Sequence, residues 1–75
     1  MDLKYIVVEG ALSDEIIIFS NVILHADIAK KLGVEVISAG FIKKDWTCYG
    51  ESVSLSIKSR PTEDTELALM WFCGR

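Results

Sequence analysis

Tyr5-Ile6-Val7-Val8-Glu9, closed by Gly10, is the stretch that decides the fold. It is rich in β-branched residues and reads as a strand. It does not alternate: four consecutive side chains are apolar, so neither face of this strand is suited to water. Such strands are normally covered on both sides. Glu15-Ile16-Ile17-Ile18-Phe19 repeats the pattern. The short connection between them carries Gly10 and Ser13-Asp14, which is turn chemistry. Two runs so close together predict an antiparallel hairpin.

Working outward, Ser20-Asn21 offers a helix start, with His25 as a rival first position. Leu24, Ile28 and Leu32 are spaced by four on one helix face, with Ala29 beside them. Gly33 is placed to end that helix, with Lys30 and Lys31 at the negative end of its dipole. Val34 to Ile42 reads as a third strand. Its Ala39-Gly40 pair predicts a bulge or a close backbone approach. Trp46 to Ile57 carries a fourth strand, interrupted at Gly50. Within it, Ser52-Val53-Ser54-Leu55-Ser56-Ile57-Lys58 alternates strictly, as a strand with one buried and one wet face does. Pro61 stops the ladder. Thr62 then caps a last helix, three acids fill its first turn, and Gly74 ends it. Leu67 to Cys73 is apolar all round, so this helix is either sandwiched or meets a partner.

The order is β-β-α-β-β-α. The simplest assembly is an α+β fold: one four-stranded, mostly antiparallel sheet with the two helices packed on one face. Residues 1–75 are expected to form a single domain, with 51% apolar and 25% charged residues. No run approaches a membrane span of about 18 apolar residues. The start, Met1-Asp2-Leu3-Lys4, lacks the zones of a signal peptide. These features predict a cytoplasmic protein with no membrane partner. Cys48 and Cys73 are then expected as reduced, buried thiols. The net charge of −3 argues against nucleic acid, which needs clustered Lys and Arg.

Phe19-Ser20, His25-Ala26-Asp27-Ile28-Ala29 and Val36-Ile37-Ser38-Ala39-Gly40-Phe41, with Tyr49-Gly50-Glu51-Ser52-Val53-Ser54-Leu55 and Ser59-Arg60-Pro61, resemble short uncharacterised proteins encoded by bacteriophages and prophages. The resemblance covers most of the chain and carries no activity or site residues. It implies a bacterial host cytoplasm and an accessory role, such as binding a host protein.

No catalytic or ligand motif is present. His25, the only histidine, is expected to cap or pack at a helix start rather than act as a base, which needs a nucleophile and an orienting partner. Cys48 and Cys73 lack the close spacing of a metal site. Gly40 and Gly50 form no phosphate loop. No metal and no cofactor are therefore expected. Arg60 opposes the dipole of the helix it precedes and is expected to pair with Glu63 or Asp64, or with a partner's anion. Trp71 and Phe72 diverge by about 100° on a helix, so one of them is expected to meet another chain. Trp46, in a turn, is folded back or serves as an exposed anchor. Trp46, Tyr49, Arg60, Trp71 and Phe72 are thus the candidate interaction residues. Phosphate mimicry by Glu63-Asp64-Thr65-Glu66 is explained more cheaply by helix-start electrostatics.

The expected function is a non-enzymatic protein-binding module, homodimeric, with any sheet interface over the first hairpin and not over the serines. The alternatives are an anti-host or anti-defence effector that inhibits a bacterial enzyme by binding it, and a small ligand binder or enzyme using His25 with Cys48 or Ser20.

Overall fold

The computed structural model describes residues 2–74. The element order is β1 (Leu3–Glu9), β2 (Asp14–Phe19), α1 (His25–Leu32), β3 (Val36–Ile42), β4 (Cys48–Tyr49), β5 (Glu51–Ser52), β6 (Ile57–Lys58) and α2 (Pro61–Cys73). The fold is α+β. One antiparallel sheet has the strand order β2-β1-β3-β4, and β5-β6 form a separate two-stranded ribbon.

β1 is the central element, and its continuous apolar run explains the layering. Tyr5, Ile6, Val7 and Val8 are all buried. Tyr5 and Val7 point to one face, where they meet Ile16, Ile42, Cys48 and Ala68. Ile6 and Val8 point to the other, where they meet Ala39, Ile17, Phe19, Ile28, Leu55 and Ile57. The expectation that both helices share one face is therefore corrected. α2 covers the Tyr5 face through Leu67 and Ala68, and α1 covers the Ile6 face through Ile28. A strand apolar on both faces needs two covering layers, and one helix on each side supplies them. Both faces of β1, the central strand of the first hairpin, are thus covered within the chain itself.

The second correction concerns Ser52–Lys58. This segment is not a strand but a tight hairpin, with Glu51 opposite Lys58 and Ser52 opposite Ile57. The serines made the difference. Ser52 is fully buried, and its hydroxyl accepts the Leu55 amide at 3.1 Å. Ser56 takes a positive φ of 56° and its amide bonds the Val53 carbonyl. Serine hydroxyls compete with ladder bonding in this way. Leu55 and Ile57 still reach the core, whereas Val53 is exposed.

That hairpin also completes α1. The helix begins at His25 with Leu24 as its N-cap, and no local side chain caps it. Ser54 does so from a distance, its hydroxyl accepting the Ala26 amide at 3.2 Å. The buried stripe of α1 is His25 and Ala29; Leu24 and Leu32 are half-exposed. Gly33 ends the helix as expected, at φ 65°. Gly40 is the expected close approach, because a Cβ there would overlap the Tyr49 carbonyl oxygen. The irregularity in register lies elsewhere along the pair, where Val7 and Val8 of β1 face Ser38 and Val36.

α2 starts one residue before Thr62, at Pro61, with Arg60 as N-cap. The cap is supplied by Asp64, whose carboxylate reaches back to the Arg60 amide at 2.9 Å. Asp64 is fully buried. Its Oδ2 also accepts the Tyr5 hydroxyl at 2.5 Å, and its Oδ1 accepts the Ser38 hydroxyl at 2.9 Å. Arg60 donates to Oδ1 from Nε at 3.1 Å and pairs with it through Nη2 at 3.0 Å. One carboxylate therefore ties α2 to β1, to β3 and to its own entry loop. Arg60 also approaches Asp14 at 3.8 Å. The expected Arg60–Asp64 pair is present, but it is anchored on a buried carboxylate rather than at the surface.

Removing this carboxylate leaves two buried hydroxyls without an acceptor. Asp64→Ala is expected to cost about 3 kcal/mol or more of unfolding free energy, and Tyr5→Phe about 1–2 kcal/mol. Urea titrations of the two variants check both the magnitudes and their order.

Candidate functional site

Lys43 to Thr47 close the β3–β4 hairpin. The Lys43 amide bonds the Thr47 carbonyl and the Trp46 amide bonds the Lys43 carbonyl, both at 2.9 Å. Asp45 accepts the Thr47 amide at 3.0 Å. These hydrogen bonds from Thr47 hold the Asp45 carboxyl below its usual range. The loop demands a left-handed residue in its last position, where glycine is preferred. Trp46 occupies it, at φ 74°. Holding a side chain in that region costs roughly 1–2 kcal/mol.

The indole does not point away into solvent. It stacks on Phe72, with ring centroids 5.1 Å apart and planes 9° from parallel. Between this stack and the end of the sheet lies a groove of about 510 Å³, lined by Leu3, Ile18, Ile42, Trp46 and Phe72, with Lys43 and Lys44 at its rim. An aromatic stack contributes about 0.5–1.5 kcal/mol, which is comparable to the backbone strain. Trp46 also packs against the α2-side core, so its ring both covers that core and forms an aromatic wall of the groove.

Trp71 and Phe72 do diverge, as the helix geometry requires. Phe72 faces the groove. Trp71 turns to the free edge of β2, where its indole N–H donates to the Asp14 carbonyl at 3.3 Å. The Gly10–Ser13 bond and the β1–β2 register place the outward backbone groups of β2 at Asp14, Ile16 and Ile18. Trp71 thus caps the first of these at an edge that would otherwise invite another strand. Both aromatics remain half-exposed, as does Met70. The apolar helix is consequently not sandwiched: its last turn faces outward.

Of the other candidates, Tyr49 packs on Phe41 at 5.7 Å and lies under the Lys43 ammonium at 5.4 Å. Its hydroxyl donates to Asp2, and that carboxylate raises its pKa. Arg60 belongs to the Asp64 network and not to the groove. Leu3, Ile18 and Ile42 were not legible as site residues. They are ordinary strand apolars, and only the tertiary arrangement brings their ends together.

His25 is buried on the opposite side of the sheet. Its Nε2 bonds the Gly40 carbonyl at 2.8 Å, and its ring sits edge-on to Phe19 and Phe41. Cys48 lies in the α2-side core, so the sheet separates the two. Burial and then the Asp64 charge push the Cys48 thiol up to about 11, which keeps it protonated and a poor nucleophile. Cys73, expected to be buried, is exposed, and both cysteines are free thiols. Among the described residues no cluster of three or more His, Cys, Asp and Glu could hold a metal ion. Lys30 and Lys31 stand on α1, whereas Lys43 and Lys44 stand in the loop between β3 and β4. No helix among the described residues is long and apolar enough to cross a membrane.

No protein-family model, curated protein or solved structure matches the chain.

The His25 environment makes stability depend on pH. Burial lowers its pKa from the ordinary 6.5. The unfolded chain then takes up a proton at a pH where the folded chain does not. This stabilisation is present above about 6.5 and is lost as pH falls through the folded value. The thermal midpoint is expected to be lower at about pH 5.5 than at about pH 7.5, with a smaller difference in His25→Gln; equal differences in the two proteins would contradict the assignment.

Proposed function

We propose that this chain is a non-enzymatic protein-binding module and that the groove beside Trp46 and Phe72 is its binding surface. The observation that carries this reading is the left-handed Trp46. A glycine would relieve the turn, yet the position holds the largest side chain, set as one wall of an open apolar groove. Non-glycine residues in strained backbone regions cluster at functional sites, and tryptophan is the residue most enriched at binding hot spots. Lys44 at the rim suits an apolar segment that carries an acid. The buried, hydrogen-bonded His25 and the protonated Cys48 support a role without covalent or acid–base chemistry. The resemblance to phage-encoded proteins would place this binding in a bacterial cytoplasm, with a host protein as one class of partner.

A random-peptide selection against the folded protein tests the groove. Acidic-apolar peptides are expected, and Trp46→Gly should weaken their binding at least ten-fold, with circular dichroism confirming that the variant is folded. Peptides that bind Trp46→Gly as well as the parent would sink the groove as the site.

A further inference from the structure

We propose that the small cavity beside the His25 ring, on the opposite side of the sheet from the groove, binds a compact neutral molecule with an aromatic body and one O–H or N–H donor. This site is independent of the groove and takes a different class of ligand.

The Gly40 carbonyl fixes the tautomer of His25. The residue is only 3% exposed, and its Nε2 lies 2.8 Å from that oxygen. A carbonyl has no hydrogen to give, so Nε2 carries the proton and donates it. Burial, reinforced by the Lys4 charge and outweighing the Gly40 bond, lowers the pKa of the ring. At neutral pH the ring therefore holds one proton, and Nδ1 is a bare lone pair. Gly40 is the one hydrogen-bond partner of the ring among the described residues. Yet none of their buried side-chain nitrogens and oxygens lacks a partner. Nδ1 must then touch open space, and the cavity that His25 lines supplies it.

The cavity measures about 200 Å³, below the roughly 300–1,000 Å³ of drug-sized pockets, which suits a ligand of one ring. Its frame is held in place: the Ser54 hydroxyl accepts the Ala26 amide at 3.2 Å and pins the hairpin wall to the helix that carries His25. The charged groups that line it are one of each sign, Lys4 and Glu51. The Lys4 ammonium is held there by donating to the Ile23 carbonyl at 2.9 Å. Opposed fields favour a neutral molecule over an ion. Phe41 gives an aromatic wall, and Leu24 and Val53 complete the apolar lining. Both aliphatic side chains are exposed, Val53 at 85%. A ring set among these three removes apolar surface from water while its donor meets Nδ1. A ligand with acceptors alone would set one lone pair against another. A metal ion is a poor occupant, because no three His, Cys, Asp or Glu among the described residues cluster to hold one.

Phenol and anisole test the site on the unmodified chain. They share a ring and an oxygen, but only phenol has a hydrogen to donate. Nuclear magnetic resonance of isotope-labelled protein follows the His25 ring nitrogens during each titration at neutral pH. Phenol is expected to bind saturably and to move the Nδ1 resonance as a hydrogen bond to a lone pair does. It should bind about ten-fold more tightly than anisole or better, since anisole leaves Nδ1 unpaired. In His25→Gln, whose amide can still donate to Gly40, phenol should lose that advantage; circular dichroism checks that the variant folds. Equal binding of the two probes to the parent chain overturns the site. So does a titration that leaves Nδ1 unmoved, holding water alone, or a preference for phenol that survives in His25→Gln. Shifts confined to the Trp46 indole also overturn the cavity, and they leave the groove reading standing.

Discussion

The carboxylate of Asp64 is the group on which this architecture turns. Fully buried, it accepts hydrogen bonds from Tyr5, Ser38 and the Arg60 amide, and the Arg60 guanidinium balances its charge. A buried carboxylate is tolerable only when it is paired and its lone pairs are filled. Here the donors come from β1, from β3 and from the loop that enters α2. Burial and the same hydrogen bond push the Tyr5 hydroxyl far above its ordinary pKa, so it remains a donor across the usual pH range. The apolar contacts of α2 with the sheet are few: Leu67 and Ala68 supply them. The Cys48 amide donates to the Thr65 hydroxyl and the Trp71 indole to the Asp14 carbonyl, but only Asp64 gathers donors from two strands and the entry loop on one group.

The position of the groove follows from the axis of α2. Once Asp64 fixes the start of α2, Phe72 falls near the end of the sheet where Leu3, Ile18 and Ile42 finish, and Trp46 closes the wall. The site is built from two constraints, one buried and satisfied, the other a strained backbone at the surface. They have different chemical purposes. The buried one makes the fold specific. The strained one sits at the groove, and strained backbone is characteristic of functional sites.

What was legible in the sequence was what depends on neighbours in the chain. The apolar runs of β1 and β2, the Gly33 cap of α1 and the close approach at Gly40 all follow from residue type and spacing. What failed depended on competition between local options or on distant partners. Ser52–Lys58 carries a clean period of two, but its serines prefer the backbone of a turn to an exposed strand face. The two-sided apolar character of Tyr5–Val8 already implied two covering layers. A single helix layer with an open opposite face would leave half of that run in water. Asp64 looked like one of three acids at a helix start. The Arg60–Asp64 spacing of four hinted at the pair, yet nothing local to Tyr5 or Ser38 marks them as its donors. Leu3, Ile18 and Ile42 became groove residues only through the meeting of strand ends.

Native-state hydrogen exchange tests the account at its centre. If Asp64 docks α2 as part of one cooperative unit, the amides of Leu67 to Leu69 will open with the same free energy as those of Ile6 and Val7 in β1, and both will track global unfolding. An α2 that exchanges several kcal/mol more easily than β1, by opening on its own, would contradict the role assigned to Asp64.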